Sequence, residues 1–305
     1  MLALREIPAD PHSAHEADAL ARAIERRVAT RFVDPDQARV QMAGALERLR
    51  PVSSWFDIVD DARDDARALG WTWLGAEAEE LVVYDVVLDS PDLAVELLPL
   101  LVGQARAHGA RMLGIGAGPG EQVRSALVSQ PGFTVRATNM VLALDAVLTD
   151  PAPLALHTMT AAEFDVWVQG EVEAYAEELA ATGMSAEAAL ERSRTQMAEL
   201  IPSGLDSPGM EFFLARVGDD VVGDLWLNTD QTMAFVYNIE VDEGRRRRGH
   251  GAAIMNAAAR HCRDAGHPYL GLNVFGHNPH ARALYDKLGY RVTHDYYALD
   301  LPDAG

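Results

Sequence analysis

Residues Arg245 to Gly251 read RRRRGHG, four guanidinium groups followed by His250 between two glycines. Arginine forks bind phosphate oxygens through paired N–H donors, and glycine lets an anion approach the backbone closely. The run lies between a β-branched and apolar stretch, MAFVYNIEV, and a segment of small and apolar residues, AAIMNAAARHC. That order predicts a strand, a loop and a helix, with the loop opening onto the helix N-terminus. There the first backbone N–H groups lack internal partners and sit at the positive end of the helix dipole. Arg246, Arg247, Arg248, Gly249, His250, Gly251 and Ala252 thus make a candidate cradle for a pyrophosphate. An arginine run on its own reads equally as a nucleic-acid patch or a solvated loop. Other residues nearby that can do proton chemistry are Glu240, Cys262, His277, His280 and Tyr285.

The rest of the chain argues against the nucleic-acid reading. With 26 basic and 46 acidic residues the formal net charge is −20, which repels nucleic acid and anionic membrane at long range. A neutral or cationic small molecule is the expected partner, in a monomer or homodimer. Cys262 is the single cysteine, so no internal disulfide forms, and no metal-ligand spacing appears. The N-terminus, MLALREIPADPH, lacks the basic and apolar regions of a signal peptide, and no apolar run reaches the length of a membrane span. A cytoplasmic protein is expected.

An internal repeat organises the elements that must hold the loop in place. Gly70-Trp71-Thr72-Trp73-Leu74 lies over Gly223-Asp224-Leu225-Trp226-Leu227, and Val83-Tyr84-Asp85-Val86-Val87-Leu88-Asp89 lies over Val236-Tyr237-Asn238-Ile239-Glu240-Val241-Asp242, both at an offset of 153. Leu113-Gly114-Ile115 matches Leu270-Gly271-Leu272, and Gly132-Phe133-Thr134-Val135 matches Gly289-Tyr290-Arg291-Val292, at an offset of 157. In the second copy Thr160 and Glu163 form a capping box, Ser185 opens a second helix ending before Pro202, and EFFLARV, VVGDLWLN and MAFVYNIEV read as an antiparallel meander. A helix over 252–265, the strand LGLNVF, a helix over 279–288 and the strand YRVTHDYYALDL follow. The first copy predicts helices near 13–28, 35–49 and 91–108, with strands near 55–60, 69–75, 80–88 and 111–116. Asp150-Pro151-Ala152-Pro153 reads as a stiff linker, dividing the chain into domains at 1–150 and 151–305.

The segment Arg246-Arg247-Arg248-Gly249-His250-Gly251 resembles the R/Q-x-x-G-x-G/A signature of the GNAT acyltransferases. A second block, from Asn278 through Ala281, Leu284 and Tyr285 to Gly289 and Tyr290, is similar to that family's N-x-x-A-x-x-L-Y-x-x-x-G-F/Y segment. The two occur in order with predicted strands between them, over Phe235 to Val292. Arg247 stands where many members carry glycine. The resemblance implies an α+β fold of two tandem domains, each a mixed, mostly antiparallel twisted sheet flanked by helices. It also implies acetyl-coenzyme A as cofactor and direct transfer of an acetyl group to a primary amine.

Several residues take roles by that likeness. Ile239 and Val241 would pair through their backbones with the pantetheine arm where their strand splays from the one near Leu272 and Asn273. Asn278 and Ala281 would border the cofactor, and Tyr285 would protonate the departing sulfur. By spacing alone Tyr285 has a second reading, a core residue with Leu284 and Leu288. Glu240 points to the face opposite Ile239 and Val241 and is the candidate base, with a solvated or structural carboxylate as the alternative. His250, His277 and His280 read as loop or phosphate contacts and Cys262 as packing. From Ala161 to Leu200 nine acidic residues face two arginines, which makes Glu171 and Tyr175 weak candidates for binding a cationic amine.

The first copy lacks this chemistry. Ser90-Pro91-Asp92 replaces the arginine loop, Val87 stands against Glu240, Glu121 against Asn278, Arg124 against Ala281 and Val128 against Tyr285. Residues 1–150 therefore read as a degenerate copy that keeps the fold without binding coenzyme A. A non-catalytic acyl-coenzyme A sensor and a protein N-acetyltransferase remain as alternative functions.

Overall fold

The computed structural model describes residues 1–8, 14–30, 34–61, 68–77, 79–145, 154–181 and 185–301. The expected linker at 150–153 lies outside them. The chain forms two compact units, Met1–Val141 with Asn273–Gly305, and Leu142–Leu272.

In the first unit the strands β1 (Leu2–Ile7), β2 (Ser53–Asp60), β3 (Ala68–Glu77) and β4 (Glu80–Leu88) form an antiparallel run. β5 (Met112–Ala117) joins β4 in parallel, as its connection through the helix α3 (Ala94–Ala107) requires. β6 (Phe133–Ala143) is reached through a short helix, α4 (Gln122–Val128). Two N-terminal helices, α1 (Ala14–Ala29) and α2 (Pro35–Leu49), complete the first copy; Asp34 caps α2 by accepting the N–H groups of Asp36 and Gln37. Ile58, Leu81, Leu97, Leu101, Leu113, Ile115 and Leu127 are fully enclosed in its core. Trp55 and Trp73 stack at 4.9 Å in a second cluster under α1 and α2.

The sheet of this unit also takes in the last strand of the chain, β12 (Arg291–Asp300), which pairs antiparallel with β5 on one side and with β6 on the other. The division expected at residue 150 follows the sequence repeat, and the compact units cut elsewhere. The reason is β12 itself: Ala298 is buried between its two neighbours and the Tyr296 hydroxyl donates to Glu80 at 2.7 Å, so residues 273–305 group with the first copy.

In the second unit the strand order is β7 (Ala155–Thr158), β8 (Met210–Val217), β9 (Asp220–Asn228), β10 (Ala234–Val241) and β11 (Tyr269–Phe275). All neighbours are antiparallel except β10 and β11. The capping box forms as expected: the Thr160 N–H donates to Glu163 at 2.9 Å and the Glu163 N–H to the Thr160 hydroxyl at 3.3 Å, opening α5 (Ala161–Ala181). Ser185 caps α6 (Ala186–Leu200), which packs on α5. Phe164, Trp167, Phe212 and Trp226 make the aromatic core between α5 and the sheet. On the helix α7 (His250–Asp264), Ile254, Ala258 and Cys262 are all fully buried. α8 (Pro279–Lys287) precedes β12 in the first unit. Each unit is thus a mixed, mostly antiparallel sheet with helices against it, the α+β class expected. Among the described residues no helix is long and apolar enough to cross a membrane.

Candidate active site

The strand β10 carries the central irregularity of its sheet. Its parallel register with β11 runs Ala234↔Leu270, Phe235↔Gly271 and Val236↔Leu272 and stops there. Along β9 the register shifts between Val236 and Asn238, so Tyr237 is the extra residue of a bulge. Beyond it β10 continues to Val241 against β9 alone. The Asp242 N–H donates to Val222 O of β9 at 3.0 Å. Alternation along the strand then turns the backbone groups of Ile239 and Val241 to the opposite edge, where an extended chain can pair with them. Gly223 allows β9 to lie close here, because a Cβ on it would meet Glu240 O at 2.1 Å.

At the end of β10 the arginine run divides its labour. Arg245 pairs with Asp220 at 3.0 Å, and Arg246 donates through Nε to Val241 O at 2.9 Å and through Nη2 to Glu240 at 3.0 Å. Arg247 and Arg248 are exposed and make no hydrogen bond or ion pair with any described residue. Arg247 has φ of 60°, the only positive φ outside glycine among the described residues. The loop therefore follows the path that glycine gives at this position, with arginine held in the left-handed region at a cost of about 1–2 kcal/mol. Gly249, with φ of 85°, starts α7 and no side chain caps that helix. The first helical bond runs from the Ala253 N–H to Gly249 O at 3.1 Å, which leaves the N–H groups of His250, Gly251 and Ala252 without helical partners. Two unpaired guanidiniums, three outward N–H groups and a helix dipole fit a pyrophosphate.

The face of the sheet under α5 holds the acidic groups. Asn238 Nδ2 donates to Glu171 at 2.9 Å, which fixes Glu171 beside the splayed part of β10. Tyr175 lies one turn further along α5 and is exposed. Glu240 is half exposed and its carboxylate is engaged by Arg246, as the structural alternative for this residue describes. Directly across from it on β9 stands Asp224, which accepts a hydrogen bond from Trp167 Nε1 at 3.0 Å. Burial lifts the Asp224 carboxyl to about 6, and the nearby Glu240 and Asp242 carboxylates add to the rise while the Trp167 bond opposes it. A carboxyl tuned close to neutral pH and facing Glu240 is suited to accept a proton. Sequence reading passed over it, although the repeat already sets this carboxylate over Trp71.

Asn278, Ala281 and Tyr285 belong to the unit that contains Met1–Val141. Asn278 caps α8, its side-chain oxygen accepting the Ala281 N–H at 3.0 Å. Tyr285 is buried with its ring 5.7 Å from that of Tyr290, and burial raises its phenol above the ordinary range, so it is protonated at neutral pH. Cys262 is buried and its thiol is pushed up to about 12, which leaves it inert as a nucleophile. His277 stacks on Phe275 at 5.5 Å.

The first copy repeats the irregularity residue for residue. β4 meets β5 only from Glu80↔Met112 to Val83↔Ile115, Tyr84 is the extra residue against β3, and a Cβ on Gly70 would meet Val87 O at 2.0 Å. Here, however, the splay is filled from within. Arg124 donates through Nη1 to Gly116 O on β5 and through Nη2 to Tyr84 O on β4, each at 2.6 Å, so one guanidinium spans both strands. It also meets Asp85 at 3.1 Å, and Arg22 and Arg26 complete the shell around that fully buried carboxylate. Burial opposes the charge on Asp85, but the three guanidiniums outweigh it and hold the carboxyl below its usual range. The expected lack of an arginine loop in this copy is thus accompanied by a plug that the sequence reading did not anticipate.

Comparison with known proteins bears on these two sheets. Residues 174–290 match the acetyltransferase (GNAT) family. An uncharacterized N-acetyltransferase of Bacillus subtilis, YycN, is 31% identical over 147 residues, which cover 46% of this chain and 94% of that protein. The mycothiol acetyltransferase of Clavibacter sepedonicus is 32% identical over 142 residues, 46% of this chain and 44% of its own length. The crystal structure of a GCN5-related N-acetyltransferase from Sphaerobacter thermophilus shares the fold over 97% of this chain and 94% of its own, at 18% identity and a TM-score of 0.57. This chain belongs to the GNAT family and is an acyltransferase of the N-acetyltransferase kind.

Proposed function

We propose that the protein transfers an acetyl group from acetyl-coenzyme A to the primary amine of a small molecule, with one working site carried by residues 151–305. The observation that carries this reading is the bulge at Tyr237, which ends the β11 register and turns Ile239 and Val241 toward an open edge beside the Arg246–Ala252 loop. When bound, the coenzyme supplies an acetyl group activated as a thioester. Ile239 and Val241 hold the pantetheine arm as a strand, and Arg247, Arg248 and the first N–H groups of α7 hold the phosphates. Asp224, with Glu240 across from it, takes the proton that the substrate ammonium must lose before its nitrogen can attack. Tyr285 keeps its proton at neutral pH and gives it to the leaving group. Glu171 and Asn238 line the approach of a cationic acceptor.

The first copy does not bind coenzyme A in this reading, because Arg124 already occupies the carbonyls of both splayed strands. A panel of small amines and of peptides, followed by release of free thiol from acetyl-coenzyme A, tests the reaction. Turnover on at least one small amine is expected; turnover on peptides alone makes the protein a protein N-acetyltransferase, and coenzyme binding without turnover on any acceptor makes it a sensor. Calorimetric titration with acetyl-coenzyme A is expected to give one site per chain.

A further inference from the structure

The first copy contains a cavity of about 320 Å³ that has no part in the reaction just described. It lies between α1, α2 and the strands β3 and β4, within the unit formed by Met1–Val141 and Asn273–Gly305. Leu20, Ala23, Leu46, Leu49 and Trp73 give it apolar walls. Its volume is that of a small-ligand site, and apolar walls of this kind do not retain ordered water unless polar partners converge on it.

Two observations fix the chemistry of an occupant. First, Trp73 is 7% exposed and its indole Nε1 is buried with no hydrogen-bond partner among the described residues. An indole N–H is a donor only, so a ligand in the cavity can satisfy it only by offering an acceptor. Second, the polar part of the lining is cationic in a chain that is otherwise strongly acidic. Arg26 and Arg27 line the cavity, and with Arg22 and Arg124 beside Arg26 they set four guanidiniums against the carboxylates of Asp85 and Glu121. Arg27 also donates to Gln41 at 3.4 Å. The remaining polar lining, Thr30, Tyr84, Asn139 and His294, is itself neutral, with the Tyr84 hydroxyl donating to the carboxylate of Glu77. His294 is held neutral by its burial and by Arg124 and Arg26, with Glu121 and Asp295 opposing.

We propose that this cavity is a second ligand site, which takes a small monocarboxylate with an apolar or aromatic body. The apolar body fills the space between Leu20, Ala23, Leu46 and Trp73, and the carboxylate accepts from the Trp73 N–H in the field of the arginines. The site survives in a copy that has lost its cofactor seat, and it gives that copy a binding role of its own.

Titration of the full-length chain with 3-phenylpropanoate tests this, followed by calorimetry and by the fluorescence of the Trp55–Trp71–Trp73 cluster. One molecule is expected to bind per chain, about tenfold more tightly than 3-phenylpropan-1-ol, which has the same body without the charge. Trp73→Phe keeps the ring and removes the donor, and is expected to lower the affinity by about threefold to tenfold. Ala23→Phe fills the cavity and is expected to abolish binding while the far-ultraviolet circular dichroism and the urea-unfolding midpoint stay those of the parent chain, which reports an intact fold. Ala23→Leu serves the same purpose if the larger ring prevents folding. Equal affinity for the alcohol, undiminished binding in both Ala23 variants, or no binding of the carboxylate overturns the proposal.

Discussion

Asp224→Asn offers the sharpest test of the acidic face. In the folded protein this carboxyl titrates near 6, against 3.8 for a free aspartate, so the fold holds the protonated form more tightly than the unfolded chain does. Between about pH 4 and 6 the unfolded state therefore binds fewer protons than the native state, and stability falls as pH rises through that window. Above the folded value the full penalty is present, on the order of 3 kcal/mol for a displacement of roughly two pH units. Asparagine is neutral at every pH, is close to isosteric, and still offers Trp167 Nε1 an acceptor oxygen. Asp224→Asn is thus expected to be more stable than the parent by about 1–3 kcal/mol at pH 7.5 and to show no advantage below pH 4. Urea unfolding at a series of pH values measures this. Trp167 and Trp226 both lie in the unit that holds Asp224 and report its unfolding. If Asp224 is the base, the same variant loses about 10²-fold to 10⁴-fold in turnover while it gains stability. A stability difference that stays constant from pH 4 to 8 would refute the argument, since only a titrating carboxyl gives it a slope.

Three further substitutions probe the other parts. Tyr285→Phe is expected to lower turnover by about tenfold or more with little change in acetyl-coenzyme A affinity, measured by thiol release and calorimetry. Arg247→Gly removes the left-handed arginine and, after the extra freedom of glycine in the unfolded chain is counted, is expected to stabilise by about 0.5–1 kcal/mol. The same change weakens coenzyme binding several-fold at low salt and less at high salt, by titration at two ionic strengths. Arg124→Met takes the donors from Gly116 O and Tyr84 O and one of three guanidiniums from the buried Asp85, and is expected to cost about 3–5 kcal/mol by urea unfolding, with Arg124→Lys, which keeps the charge, costing less.

Much of this architecture was legible in the sequence. The helices and strands of the first copy fall within a few residues of their expected ranges, because alternation and turn residues there are unambiguous. Ser185 and Thr160 mark helix starts by cap chemistry that acts locally. What stayed hidden depends on residues far apart in sequence. β1 and β7 are short and lack a periodic pattern of their own. The seat of β12 between β5 and β6 is decided by pairing across more than 150 residues, which no local signal encodes. Asp224 carries no local signal, since its raised titration comes from burial first and then from Glu240 and Asp242.

On the proposed reading, the two copies give a physical reason for the plug. A bulge that parts two parallel strands leaves backbone groups on both without partners, and such groups are costly if they are shut away from water. In the second copy Arg246 engages Val241 O, and on the proposed reading a strand-like ligand pairs with the groups of Ile239 and Val241 that stay open. In the first copy the same bulge at Tyr84 persists, held by the same close glycine, Gly70. The carbonyls of Tyr84 and Gly116 there take their donor from within the protein, and Arg124 supplies two N–H groups from one side chain. An arginine buried there needs a counter-charge, and Asp85 stands at the position of Asn238 to provide it. Arg22 and Arg26 then complete that carboxylate's shell. The repeat sets Ala281, a side chain that ends at Cβ, where the first copy has Arg124. Arg124→Ala alone therefore does not reopen the first copy: it takes the donors from Tyr84 O and Gly116 O while Arg22 and Arg26 still hold Asp85 in place.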